Sequence, residues 1–284
     1  ITDPNLKVAM LHLDPARPRN SRTHGIDEMN PKLSEIFSAW KDQLIEGDLG
    51  PAILLDLSPR LTNEQRLEVE SIVETFWPGI GKTWAWTSRG RGRIDRLSLW
   101  LGQLSSTQNE NRFVRIPPEL KNKPVVVQGA TLPISAHRRP PRKGEHVSIL
   151  DAALVESGLA TEFLNQTLTG QEITWSVASG RRPQIHHPDS FAFNEKNQSL
   201  LVQATGRIVK LVHCELTEET ISHLVDAASE YGFGKLTLRV SLDPELQPRI
   251  QGSIDRQLNA RGGTHTGFVA QQPEDSMLLL CLIS

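Results

Sequence analysis

The chain has 284 residues, of which 38% are hydrophobic and 23% are charged, and its formal net charge is −2. This composition is too apolar and too evenly charged for wholesale disorder, and a chain of this length can bury a substantial core. No apolar run approaches the roughly 18 residues needed to cross a bilayer, so we expect no membrane partner. The composition indicates a globular protein, and we favour more than one domain.

The chain contains two cysteines, Cys214 and Cys281, and each lies in an apolar, strand-like stretch. A free thiol in such a setting usually behaves as a small buried hydrophobe. So few cysteines in a chain of this size are typical of a reducing compartment, and we therefore expect a cytoplasmic location. They also disfavour a structural zinc site, which needs more thiolates at closer spacing.

The first 111 residues alternate apolar strands with amphipathic helices. Strands are predicted at residues 6–13, 51–57 and 94–101, and helices at residues 31–46 and 62–76. Strand, helix, strand, helix, strand is the order of a parallel α/β layer. We therefore predict that residues 1–111 form a Rossmann-like, three-layer α/β domain.

The next part of the chain, residues 112–198, has a different composition. Six prolines, at positions 117, 118, 124, 133, 140 and 141, interrupt its first thirty residues. Such spacing is typical of a linker or of short strands and turns. A helix is predicted at residues 148–168 and a polar loop at residues 181–197. We therefore expect a basic, proline-rich connector with one helix.

The last part, residues 199–284, has the pattern of a third unit. Strands are predicted at residues 199–214, 235–242, 264–270 and 277–283, and helices at residues 217–231 and 246–260. Thr217 favours a helix start and Gly232 favours a helix end. This order is compatible with a ferredoxin-like α+β unit, so the expected fold class is α/β plus α+β. Many unrelated functions share that fold, so it does not identify the function.

Positive charge is concentrated in the middle of the chain. Between Gly79 and Lys143 there are thirteen basic and three acidic residues, a net charge of about +10 in a chain whose total is −2. Two segments are densest: SRGRGR at residues 88–93 and HRRPPRK at residues 137–143. Neither segment has the hydrophobic pattern of a buried element, so both are predicted to be exposed loops.

These two loops predict a nucleic-acid interface. Guanidinium groups match phosphate oxygens in a bidentate manner, and glycine lets a backbone approach a phosphate closely. If both loops reach one face, they form a groove that follows a nucleic-acid backbone, with Trp84 and Trp86 as nearby stacking platforms. The predicted contacts are Arg89, Arg91, Arg93, Arg96, Arg138, Arg139, Arg142 and Lys143.

The leading hypothesis is a nucleic-acid-binding, non-catalytic subunit of a nucleoprotein complex, without a metal or cofactor and with other protein subunits as partners. The pattern does not distinguish RNA from DNA. A scaffold or adaptor subunit that docks on an acidic protein surface is an alternative. A metal-dependent hydrolase or nuclease is another, with His186, His187 and a strand-end aspartate, Asp14 or Asp56. Neighbouring histidines on a strand point to opposite faces, which disfavours a shared metal.

Overall fold

The computed structural model describes residues 5–15, 25–90, 92–134, 139–272 and 277–283. The chain divides into two compact units. Unit 1 comprises Ile1–Leu132 and Glu156–Glu162, and unit 2 comprises Pro133–Val155 and Phe163–Ser284. Each unit is dominated by one β-sheet, so the protein is a mixed α/β structure of the α+β kind.

Unit 1 is built on a six-stranded sheet with the order β1-β2-β4-β3-β5-β6. Its strands are β1 (Met10–Leu13), β2 (Ala52–Leu57), β3 (Lys82–Ser88), β4 (Arg96–Leu101), β5 (Asn111–Arg115) and β6 (Val125–Gly129). The pairs β1–β2 and β3–β5 are parallel, whereas β4 lies antiparallel between β2 and β3. Consequently β1, β2, β3 and β5 all run in one direction, and their carboxyl ends share one edge of the sheet.

Two helices of unit 1 are α1 (Leu33–Trp40) and α2 (Asn63–Phe76). The second begins with a reciprocal capping box, in which the Thr62 and Gln65 side chains each accept a hydrogen bond from the other residue's backbone N–H, at 3.3 and 3.0 Å. Such a box satisfies two backbone donors that the helix leaves free, which explains why the helix predicted from Thr62 forms there. Phe37 of α1 meets Trp77 edge-to-face, with 5.1 Å between ring centroids.

The sheet of unit 1 differs from the parallel layer predicted from sequence. Residues 82–88 form the strand β3, which the sequence pattern did not identify. Only seven residues, 89–95, join β3 to β4. A parallel crossover needs a dozen or more residues, so β4 must run antiparallel to its neighbours.

Unit 1 also continues past the predicted domain boundary at residue 111. β5 pairs with β3, and β6 pairs with β5, so the proline-rich segment extends the first sheet and does not form a separate connector. The helix predicted at residues 148–168 begins instead as the strand β7 (His146–Leu150), followed by α3 (Ala152–Glu156) and α4 (Ala160–Thr167). A short buried strand and a buried helix segment have the same apolar pattern, which explains the difference.

Unit 2 contains a seven-stranded sheet with the order β11-β12-β13-β10-β7-β9-β8. Its further strands are β8 (Thr174–Val177), β9 (Gln184–His187), β10 (Val202–His213), β11 (Phe233–Leu238), β12 (His265–Gln272) and β13 (Met277–Leu282). Helices α5 (Ile221–Glu230) and α6 (Leu246–Arg261) pack on this sheet. Leu224 and Ile254 of the helices share one buried core with Leu236 and Leu280 of the strands.

The elements predicted after residue 199 are confirmed in type and order. The helix predicted from Thr217, however, begins at Ile221, after a turn at residues 218–220. In contrast, the loop predicted at residues 181–197 contains the buried strand β9. Within the described ranges, no helix has both the length and the apolarity to cross a membrane.

Candidate functional site

The carboxyl edge of the unit 1 sheet, meaning the edge where β1, β2, β3 and β5 end, gathers polar side chains from several elements. Asp14 directly follows β1, and Asp56 lies one residue before the end of β2. Residues 89–95, here named the arginine loop, follow β3, and Arg115 ends β5. In open α/β sheets, ligands bind outside the carboxyl ends of parallel strands. This edge is therefore the candidate functional site.

Backbone pairing fixes the order of these groups along the edge. Asp56 pairs with Ser98 of β4, and Arg96, at the start of the same strand, pairs with β3. Ser88, at the end of β3, pairs with Arg115. The arginine loop therefore begins two strands away from Asp56 and at the same edge.

Asp56 is the centre of a hydrogen-bonded network. Its Oδ1 accepts a hydrogen bond from Ser98 Oγ at 2.6 Å, and its Oδ2 lies 3.0 Å from His12 Nε2 and 3.2 Å from Arg96 Nη1. The Asp56 side chain is 10% exposed, whereas those of His12 and Arg96 are 50% and 64% exposed. A buried carboxylate thus holds two side chains that face solvent.

The network determines the charge state of Asp56. Burial opposes ionisation, but the hydrogen bonds from Ser98 and His12 and the charge of Arg96 together outweigh it. The pKa of Asp56 is therefore lower than its ordinary value. The carboxylate is ionised at neutral pH and can orient His12.

Sequence reasoning singled out Asp56 and Arg96 but missed two of their partners, His12 and Ser98. Both are polar residues inside otherwise apolar strands, MLHL and RLSLWL. Such a residue on a buried strand usually has a polar partner on the neighbouring strand. The sequence therefore indicates that His12 and Ser98 have polar partners. Only the strand order shows that the partner of both is Asp56.

The arginine loop presents exposed cations at this edge. Arg89 and Arg93 are exposed, and the Asp95 carboxylate accepts a hydrogen bond from the Arg89 backbone N–H at 2.5 Å. Ser88 Oγ accepts from the Gly90 N–H at 2.8 Å and lies 3.2 Å from the Arg93 carbonyl. These hydrogen bonds hold the backbone at residues 89, 90 and 93, while the guanidinium groups of Arg89 and Arg93 stay accessible. Arg91, another predicted contact, lies outside the described residues.

The structure explains why a glycine occupies position 90, which the sequence alone does not show. Its φ is +86°, and a Cβ at this position would lie 2.4 Å from Nη2 of Arg115. Arg115 is buried, and its Nη1 donates to the Ile116 carbonyl at 2.8 Å. Arg115 therefore supports the loop from within the unit and does not offer its charge at the surface.

The second predicted basic segment belongs to unit 2, where Arg139 is tightly paired. Its two terminal nitrogens donate to Glu145 at 2.9 and 2.6 Å, and its Nε lies 3.3 Å from Glu172. The hydrogen bonds to Glu145 raise the pKa of Arg139, and its side chain is 15% exposed. Its positive charge is therefore already matched within the unit.

The other basic residues of that segment offer less free positive charge at the surface than the sequence predicts. Arg142 and Lys143 are exposed, but Lys143 Nζ donates to Tyr231 Oη at 3.0 Å and lies 5.3 Å from the centre of its ring. Arg138 lies outside the described residues. The two basic segments belong to different units. In unit 1, the side chains of Arg89, Arg93 and Arg96 are exposed.

The predicted stacking platforms, Trp84 and Trp86, are buried instead, at 6% and 2% exposure. Both lie on β3 with two-residue spacing, so they share the face that α2 covers. Trp84 Nε1 donates to Glu70 at 2.7 Å, and the Arg66 guanidinium lies 5.6 Å from the centre of the Trp86 ring. These tryptophans are therefore part of the packing between α2 and the sheet.

The two histidines of the hydrolase alternative lie in unit 2 on β9, between β7 and β8, and both are fully buried. His187 Nδ1 donates to the Asp189 carbonyl at 2.6 Å, and its Nε2 lies 2.8 Å from Ser148 Oγ. A catalytic serine makes such a contact with its general base, but the side chains of Ser148 and His187 are both buried and do not reach solvent. Burial lowers the pKa of His186 and of His187 to about 4, so both are neutral at pH 7.

No group of three or more histidine, cysteine, aspartate or glutamate side chains within the described residues could hold a metal ion. The aspartates proposed for the hydrolase, Asp14 and Asp56, belong to unit 1, and the histidines belong to unit 2. Asp56 is bound to His12, Ser98 and Arg96 instead.

No family model matches the chain, and no curated protein matches it. Among solved structures, the chain is similar to the crystal structure of a "putative methyltransferase" from Porphyromonas gingivalis W83, with a TM-score of 0.54 and 13% sequence identity. The match covers 96% of this chain and 59% of that one, so this chain spans less than two thirds of the other protein's length. At this identity the likeness shows a shared fold.

Replacement of Asp56 should weaken the protein in a pH-dependent way. We expect Asp56→Asn to lower the free energy of unfolding by about 1–3 kcal/mol near pH 7, because the hydrogen bonds to a charged acceptor are lost. The folded-state pKa is lowered, so this stabilisation is present above the ordinary value of 3.8 and disappears as the pH falls below it. Urea unfolding of both proteins across this range measures the difference. Asp14→Asn, at an exposed strand end, is the control, and an equal loss in both variants contradicts the network.

The buried histidines should make the fold sensitive to mild acid. Unfolded histidine protonates near pH 6.5 and these two protonate only near 4, so stability falls as the pH drops from 6.5 towards 4. The loss is at most about 3 kcal/mol for each imidazole. His187→Gln should reduce the fall in unfolding free energy over this range, measured by urea titration, whereas the exposed control His223→Gln should not. An unchanged pH profile in His187→Gln would show that His187 binds its proton at the same pH in the folded and unfolded states, which contradicts the prediction.

Proposed function

We propose that this protein is a methyltransferase that acts on nucleic acid, and that its described residues hold the substrate. The observation that carries the proposal is the position of the arginine loop at the carboxyl edge, where its exposed guanidinium groups lie along the same edge as Asp56. The fold likeness to a protein named as a methyltransferase supports the reaction class. The charge of the loop supports the substrate class.

The finer fold assignments are part of this proposal. Unit 1 has parallel strands β1 and β2 joined through α1, and α2 follows β2, which supports a Rossmann-like origin. The segment from β10 to β13 places α5 and α6 against a four-strand part of the unit 2 sheet, which supports a ferredoxin-like origin.

Nucleic acid is the favoured substrate because the exposed cations of the edge are suited to a repeated phosphate backbone. Arg89 and Arg93 are exposed on this loop, and a guanidinium binds phosphate through two parallel hydrogen bonds. Lys123, also exposed, lies in the segment that follows β5 at the same edge, as does Lys121, whose Nζ lies 2.9 Å from the Glu119 carboxylate. A small anionic substrate could be bound by fewer positively charged side chains than this edge carries, so their number favours a substrate with several phosphates.

A methyltransferase takes its methyl group from a donor such as a sulfonium nucleoside, and a strand-end carboxylate often binds the ribose of a nucleoside. Asp56 does not fit that role, because Ser98 occupies one oxygen and His12 and Arg96 share the other. We therefore assign no donor-binding residue among the described residues. This chain's described residues act on the substrate side.

His12 is the residue that we propose as the proton acceptor. A nitrogen or oxygen that gains a methyl group loses a proton, and a positioned imidazole is suited to receive it. The ionised Asp56 holds the Nε2 side of the His12 ring, and the side chain is half exposed. Asp56 thereby fixes the orientation of the imidazole, as the aspartate of an aspartate–histidine pair does.

Binding of the substrate should depend on the arginine loop and on salt. For a single-stranded oligonucleotide, the logarithm of affinity falls with the logarithm of salt concentration in proportion to the phosphates contacted. The double variant Arg89→Gln, Arg93→Gln should reduce that slope by about 1.4, measured by fluorescence anisotropy. Arg249→Gln, Arg256→Gln removes the same charge from exposed positions of α6 and should leave the slope unchanged. Equal slopes in all three proteins contradict the interface.

Methyl transfer should depend on His12. With a radiolabelled sulfonium donor, the protein should transfer label to RNA or DNA, and His12→Gln should slow transfer by about 100-fold or more. Oligonucleotide affinity should stay unchanged in that variant, because His12 acts on the proton and not on the backbone. His213→Gln, an exposed histidine of unit 2, is the control. Binding without label transfer in the unmodified protein would argue against the methyltransferase assignment.

A further inference from the structure

Unit 2 contains three arginines, Arg181, Arg182 and Arg239, that come together from distant parts of the sequence. Arg181 and Arg182 lie in the segment that precedes β9, and Arg239 directly follows β11. Arg182 Nη1 donates a hydrogen bond to the carbonyl of Val240, the residue next to Arg239. Arg181 is exposed, and the other two are half-buried. We name these three residues the arginine cluster.

The curvature of the unit 2 sheet brings the arginine cluster together. β9 and β11 are not neighbours in this sheet, because β12, β13, β10 and β7 lie between them. Nevertheless, Gln184 Nε2, at the start of β9, donates to the carbonyl of Gln271 in β12 at 3.4 Å. The contact between Arg182 and Val240 spans the same gap. The sheet therefore curls until the start of β9 meets the carboxyl ends of the parallel strands β11 and β12.

Carboxylates do not neutralise the charges of the arginine cluster. In the part of the chain that the structure describes, none of its three guanidinium groups forms an ion pair with a carboxylate. The first acidic residue after Arg239 is Asp243, whose carboxylate accepts a hydrogen bond from the Glu245 N–H at 2.8 Å instead. Burial, and next the charges of Arg239 and Arg181, lower the pKa of Arg182. Three positive charges therefore repel one another at this end of the strands.

Two buried polar atoms at the same place also lack partners. Among the residues that the structure describes, Arg239 Nε has no acceptor and Gln272 Oε1 has no donor. Thr237 pairs with Phe268, and side chains alternate along both strands, so Arg239 and Gln272 lie on one face of the sheet. A buried donor or acceptor without a partner is unfavourable, which favours a ligand that supplies partners to both.

We propose that the arginine cluster is a binding site for a phosphate group. A phosphate monoester carries a charge of about −1.5 to −2 at pH 7 and has three acceptor oxygens. Guanidinium groups bind such oxygens through parallel hydrogen bonds, whereas a single carboxylate would leave two of the three positive charges unmatched. The remaining proton of the phosphate, or a hydroxyl group beside it, can donate to Gln272 Oε1. This site does not depend on the substrate proposed for unit 1.

Calorimetric titration of the unmodified protein with inorganic phosphate tests the site, at about pH 7 and at an ionic strength kept constant with chloride. We expect saturable binding to one site. Arg239→Gln should weaken this binding about 10-fold or more, as expected when a hydrogen bond between charged groups is lost. Arg256→Gln removes the same charge from an exposed position of α6 and is the matched control. An equal loss in the control, or no saturable binding by the unmodified protein, overturns the proposal.

Thermal unfolding separates a binding role from a structural one. Without phosphate, Arg239→Gln should be at least as stable as the unmodified protein, because it removes a repelling charge from beside Arg182. Phosphate should raise the Tm of the unmodified protein and of Arg256→Gln, because a ligand that binds only the folded state stabilises it. The rise should be largely absent in Arg239→Gln and in Arg181→Gln, whose side chain is exposed. A full rise in both of these variants overturns the site.

Two kinds of molecule carry such a phosphate, namely a small phosphorylated compound and the end of a nucleic-acid strand. A trinucleotide with a 5′-phosphate and the same trinucleotide with a 5′-hydroxyl distinguish them. A preference for the phosphorylated form that Arg239→Gln removes supports the site and assigns it to a strand end. Binding of inorganic phosphate without that preference supports the site and assigns it to a small compound. Binding of neither overturns the site but leaves the proposed function of unit 1 intact.

Discussion

The antiparallel insertion of β4 between β2 and β3 is the constraint on which the candidate site depends. On one side, β4 places Ser98 opposite Asp56, and on the other it pairs Arg96 with β3. A single strand thus brings a donor and a cation to the carboxylate and anchors the arginine loop at the same edge. If β4 lay elsewhere in the sheet, Asp56 would lose Ser98 and Arg96 and keep only His12, and a buried charge with so few partners is unfavourable.

The electrostatics of the edge separate structural charges from accessible ones. Asp56 and Arg115 are buried and satisfied by neighbouring groups, and they hold their surroundings in place. Arg89 and Arg93 are exposed on a loop whose backbone is fixed by Ser88 and Asp95. Hydrogen bonds that hold the backbone at these described positions reduce the conformational entropy that would be lost on binding.

Local pattern predicted the elements of the last ninety residues, where helix periods and terminal glycines are clear. It failed where tertiary context decided the outcome. The seven-residue sequence of β3, which contains Trp84 and Trp86, is as compatible with a surface loop as with a buried strand, and only the cover by α2 distinguishes the two. Similarly, the sequence predicts an exposed Arg139, whereas the structure pairs its guanidinium with Glu145. Glu145 is only six residues away in sequence, but the geometry that brings the two side chains together is set by the fold. Asp56 can be identified from the sequence because it lies at the end of a predicted strand. His12 and Ser98 can be recognised as its partners only when the order of the strands is known.

The central claim is that the carboxyl edge of unit 1 receives a nucleic-acid backbone. Amide hydrogen exchange, followed by mass spectrometry with and without a single-stranded oligonucleotide, tests it most directly. The account predicts slower exchange in residues 88–96 and 116–123 and little change on α6. Protection confined to unit 2, or no protection at a saturating oligonucleotide concentration, would contradict it.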